Sequence, residues 1–147
     1  MKSKLFLFAF AIIYISVIHA QSLTPSDSSA IHTLIANYSK AREQRDTVLL
    51  KQILTADIDQ LVSTGEWREG MTAAVQGMLQ SSAASPGTRK LEIAKLRLLT
   101  KGAALVDCRY IIQNTDGTAR NMWSSFVVVD KGGEWRIGAI RNMKPGK

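Results

Sequence analysis

Four runs of strand-like sequence, separated only by short turns containing glycine, constrain this fold more than any other feature. They span residues 89–100, 103–114, 119–130 and 134–143, joined by Lys101-Gly102, Thr115-Asp116-Gly117 and Lys131-Gly132-Gly133. Glycine where positive φ is needed is the mark of hairpin turns, so the runs predict a meander of antiparallel neighbours. In the second run Ala104, Val106, Cys108, Tyr110 and Ile112 alternate with Asp107 and Arg109. That alternation gives the strand one buried face and one wet face. A sheet with one apolar face needs a cover.

The cover is encoded upstream. Thr24-Pro25-Ser26-Asp27 reads as a helix start, with a capping hydroxyl and proline at the first helical position. Ile31, Leu34, Ile35, Tyr38 and Ala41 then recur at helical spacing, and the helix is expected to end near Gln44-Arg45. Asp46 can cap a shorter helix with Leu49, Leu50, Ile53 and Leu54 in one stripe. Residues 57–64 read as a short strand closed by Gly65, and residues 66–70 as a turn carrying Trp67. Met71, Ala74, Val75, Met78 and Leu79 predict a third helix, and residues 81–87 a loop. The expected fold is α+β: a strongly curved antiparallel sheet wrapped around the first helix, with two short helices and a conical cavity between them.

Residues 1–20 belong to a different kind of segment. Lys2 and Lys4 precede an uncharged apolar run over residues 5–18, and Ala20 precedes Gln21-Ser22. This is the layout of a secretory signal peptide, and the run is short for a membrane span. The expected mature chain is residues 21–147, a single domain exported to the periplasm or secreted, with no stable membrane anchor. It carries 17 basic and 12 acidic residues, a net charge of +5. The basic residues are scattered rather than gathered in a stripe, which argues against nucleic acid as a partner. Cys108, the only cysteine, excludes a disulfide scaffold and reads as a buried, unreactive thiol.

Three local patterns accompany this element order: residues 56–62 (Ala-Asp-Ile-Asp-Gln-Leu-Val), residues 65–70 (Gly-Glu-Trp-Arg-Glu-Gly) and residues 133–143 (Gly-Glu-Trp-Arg-Ile-Gly-Ala-Ile-Arg-Asn-Met). With them the chain resembles the SnoaL-like (SgcJ/EcaC-like) branch of the nuclear-transport-factor-2-like superfamily, from about Ser26 to Met143. The resemblance implies a cone-shaped α+β fold, a pocket between helix and sheet, and frequent dimerisation through the sheet. It does not imply one chemistry, because members include isomerases, cyclases, dehydratases and plain binding domains. Where several related domains carry a histidine near the end of the closing strand, this chain has Arg141 and Asn142, which argues against histidine-based proton transfer.

The chemistry-bearing residues are few. His32 is the only histidine after residue 20, so a metal site of the usual kind is not expected, and no cofactor motif is present. Asp57 and Asp59, at i and i+2 on an extended segment, point the same way. Asp59 is the candidate general base, against the alternative of an outward strand residue. Tyr110 is the candidate hydrogen-bond donor to a ligand carbonyl. Tyr38, Trp67, Trp123 and Asn142 are candidate ligand contacts, and adjacent Arg141 and Asn142 cannot both face the cavity. The expected function is binding of a small, largely apolar molecule by a homodimer. The alternative is a cofactor-free isomerase, cyclase or dehydratase acting on a small carbonyl compound.

Overall fold

The computed structural model describes residues 22–146, so the expected signal peptide lies outside the described residues. Helix α1 (Pro25–Gln44) begins where its capping sequence places it, with Thr24 Oγ1 accepting the Asp27 N–H at 3.0 Å. Asp27 Oδ1 also accepts the indole N–H of Trp135 at 3.1 Å, tying the helix start to the last strand. Hydrogen bonds from Thr24 and then Trp135 hold the Asp27 carboxyl below its usual range. The helix stops at Arg45, whose backbone is left-handed (φ 55°) and whose N–H returns to the Ala41 carbonyl. Asp46 at once caps α2 (Thr47–Ile53), accepting the Val48 and Leu49 N–H groups at 3.0 and 2.9 Å.

Three boundaries differ from the sequence expectation; in one, the third helix (Gly70–Ala84) runs into residues 81–84 of the stretch expected as a loop. Leu54 does not complete the α2 stripe; it is extended and opens β1 (Leu54–Leu61), paired to Ile137. Cross-strand pairing overrides the helical spacing there. Residues 67–69, expected as part of a turn, form a short strand β2 (Trp67–Glu69) that returns antiparallel along β1. Helix α3 (Gly70–Ala84) follows, then β3 (Gly87–Thr100), β4 (Ala103–Asn114), β5 (Ala119–Asp130) and β6 (Trp135–Met143).

The six strands form one sheet in the order β2-β1-β6-β5-β4-β3. The meander β3 to β6 is antiparallel throughout, whereas β6 pairs with β1 in parallel. Register shifts in β3 and between β5 and β6 bend the sheet, as bulges do, into the curved α+β arrangement expected. Helix α1 packs on β3 and β6 and α3 on β1. Between them lies one core that includes Ile31, Leu50, Ile58, Met78, Phe126 and Ile140.

Cys108 is fully buried in that core, and burial, with a smaller contribution from Asp107, pushes its thiol up to about 12 from an ordinary 9.0. Thiol reagents attack the thiolate, so this rise, with burial, strongly suppresses reaction near neutral pH. Labelling of the native protein with a maleimide is expected to be slow and to become rapid in denaturant. Rapid native labelling would place Cys108 on an accessible surface.

Candidate functional site

The core does not fill the whole space between helices and sheet. A cavity of about 260 Å³ opens beside the C-terminal ends of α1 and α3. The inward-facing side chains of four strands make its floor: Gln60 of β1, Tyr110 and Ile112 of β4, Met122 of β5 and Asn142 of β6. Strand alternation explains the set, since each lies an even number of residues, two or four, from a core residue on the same face, such as Ile58, Cys108, Phe126 or Ile140. Arg42 from the last turn of α1, Arg68 from β2 and Ser81 from α3 form the wall.

The lining is polar and cationic, not largely apolar as the sequence suggested. Arg42, Arg68, Arg89 and Arg120 all border the cavity, and among the described residues Glu66 is its only acidic lining residue. The arginines are not equivalent. Arg89 donates to the Ser85 and Gly87 carbonyls at 2.6 and 3.2 Å, tying up backbone oxygens at the end of α3. Arg68 pairs through Nε with Glu66 at 2.9 Å and donates to Ser81 Oγ at 3.2 Å. Hydrogen bonding from Arg68 and its charge together hold the Glu66 carboxyl below its usual range. The Arg68 side chain lies across Gly77, where any Cβ would strike it.

Arg42 is different. It is only 7% exposed, and its guanidinium donates to Tyr38 Oη at 3.0 Å and Ser82 Oγ at 3.4 Å. Its Nε finds no partner, and no carboxylate lies within ion-pair distance among the described residues. Burial raises the Tyr38 phenol above its usual range despite the adjacent cation, so Tyr38 stays neutral near pH 7 and supplies no counter-charge. Gln60, 1% exposed, likewise leaves its amide oxygen without a partner.

The structure brings together only part of the set expected from sequence. Tyr110 and Asn142 line the cavity, and Asn142 Oδ1 accepts the Ser124 hydroxyl at 2.7 Å. Tyr38 sits one layer behind, holding Arg42. Asp59 is a correction: it lies on the sheet face away from the helices, where Arg141 grips both carboxylate oxygens at 2.8 and 3.1 Å. The reason is the two-residue period of β1, which sends Ile58 and Gln60 inward and Asp59 outward. Trp67 and Trp123 are corrections for the same reason. Trp67 is 52% exposed under the Arg141 guanidinium, 4.7 Å from ring centre, and Trp123 lies beneath Arg109 at 5.8 Å on that same outer face.

Arg42, Arg68 and Gln60 escaped the sequence reading. Arg42 does leave a trace: it falls four residues after Tyr38 and thus extends the buried stripe of α1 with a charge. His32 is exposed on α1, and no group of three or more His, Cys, Asp or Glu residues converges among the described residues.

No protein-family model matches the sequence, and no curated protein sequence is significantly similar to it. Solved structures do match its shape. A domain of unknown function with a cystatin-like fold from Nostoc punctiforme superposes with a TM-score of 0.75 at 17% identity, over 85% of this chain and 81% of that one. An NTF2-like protein of unknown function from Shewanella oneidensis gives 0.68 at 17%, over 80% and 98%. A candidate scytalone dehydratase from Novosphingobium aromaticivorans gives 0.69 at 13%, over 82% and 85%. The chain therefore has the NTF2-like, cystatin-like fold.

Proposed function

We propose that this chain is an exported binding protein of the SnoaL-like (SgcJ/EcaC-like) branch, which holds a small molecule in the cavity between helices and sheet. The observation that carries the reading is the cavity itself, set between helices and sheet and lined by the convergent polar side chains of Arg42, Gln60, Arg68, Tyr110 and Asn142. Small-molecule sites are concave and carry a few convergent polar groups, as this lining does. Export is supported by Lys2, Lys4 and the apolar run over residues 5–18. A homodimer through the outer sheet face is supported by exposed Trp123 and Met143.

Binding is favoured over turnover because the cavity offers no free base. Among the described residues, its one carboxylate, Glu66, is engaged by Arg68, and no histidine borders it. A cofactor-free isomerase or dehydratase is the second reading, in which Tyr110 would orient a carbonyl; the candidate scytalone dehydratase of the same fold is consistent with it.

Native mass spectrometry of protein recovered from the exporting host tests the binding reading. The expected spectrum shows a dimer carrying a small molecule that denaturation releases. Tyr110→Phe is expected to weaken retention by about 0.5–1.5 kcal/mol, the loss of one neutral hydrogen bond. Asp59→Asn is expected to leave retention unchanged, since that carboxylate faces the other way. Spectra without a bound molecule in every variant would count against binding, and loss of the ligand in Asp59→Asn alone would restore that residue to the site.

A further inference from the structure

We infer that the molecule held in this cavity is a small organic acid whose carboxylate pairs with Arg42. The inference rests on the binding reading and names the ligand class. A guanidinium presents five N–H donors and keeps its charge at any physiological pH. In Arg42 the protein engages two of these donors, through Tyr38 and Ser82, and both partners are neutral. The nearby carboxylates are committed elsewhere: Glu66 to Arg68, and Glu43 to the Arg89 backbone N–H. Burying a charge without a counter-charge is costly, and natural folds seldom keep one without a use.

The surroundings fit a carboxylate rather than a neutral guest. Arg42 shares the cavity with the Tyr110 phenol and with Asn142, whose amide oxygen is already engaged by Ser124, leaving its N–H groups as donors. Ile112 and Met122 supply apolar contact for the body of the molecule. A carboxylate matches the planar fork of a single guanidinium, and charge-assisted bonds of this type are the stronger class.

Isothermal titration calorimetry with matched acid and amide probes tests this: 4-hydroxybenzoate with 4-hydroxybenzamide, phenylacetate with phenylacetamide, and butanoate with butanamide. Acids are expected to bind about 10- to 100-fold more tightly than their amides. In Arg42→Met that preference is expected to vanish, while the far-UV circular dichroism of the unliganded protein stays that of the parent. Equal affinity of acids and amides, or unchanged acid binding in Arg42→Met, would overturn the carboxylate while leaving small-molecule binding intact. Displacement of the acids by equimolar inorganic phosphate would also overturn it, in favour of a generic anion site. Failure of every acid and amide to bind at millimolar concentration would overturn the binding reading itself. Should Arg42→Met fail to fold, the acid-to-amide ratio in the parent protein decides the question alone.

Discussion

Phe126→Ala is expected to cost about 3–5 kcal/mol of folding stability, the range for deleting a buried aromatic ring. Phe126 is fully buried at the middle of β5, between Val106 of β4 and Ile140 of β6. Its ring meets the edge of Tyr38, with centroids 5.3 Å apart and planes at 74°. The substitution therefore opens a void at the point where α1 is anchored to the sheet, and it also removes an aromatic pair. Against a typical total of about 5–15 kcal/mol, that is a large share. Urea unfolding checks it through the midpoint. A loss below about 1 kcal/mol would mean that α1 is held elsewhere. Since Tyr38 positions Arg42, weaker acid binding is expected to accompany the loss of stability.

Gly87→Ala is the second substitution with a large expected effect. Gly87 opens β3 opposite Asn114 with φ at 137°, a region that residues with a side chain essentially avoid. A Cβ there would also run into the Gln113 carbonyl on β4. Backbone strain alone is worth about 1–3 kcal/mol, and the clash adds to it unless the strand end frays. The Gly87 carbonyl accepts a hydrogen bond from Arg89, which borders the cavity, so fraying would loosen that wall. Stability by chemical denaturation and amide exchange at the β3–β4 end are the measurements. Unchanged protection of those amides would show that the backbone there tolerates a side chain.

Much of the fold was legible because it is written in local chemistry. Thr24 and Asp46 cap helices through side-chain oxygens within three residues of the N–H groups they satisfy. The glycine turns and the alternation of Ala104, Val106, Cys108, Tyr110 and Ile112 mark hairpins and a buried face in the same local way. The parallel pairing of β1 with β6 was not legible. It joins residues some eighty positions apart, and no local pattern encodes which distant edge a strand will meet.

The candidate site divides along the same line. Tyr110 and Asn142 lie on strands and the structure puts both in the cavity lining. Asp59 drew attention as a carboxylate, but register decides whether a strand carboxylate meets a cavity or, as here, an arginine on the other face. The helices, the meander and the one-sided burial of the sheet are set locally, because propensity, capping and period act over a few residues. That Arg42, Arg68 and Gln60, from α1, β2 and β1, converge on one cavity is an outcome of tertiary packing. The same packing leaves Arg42 without a counter-charge, because charge balance in a buried site depends on which distant side chains arrive there.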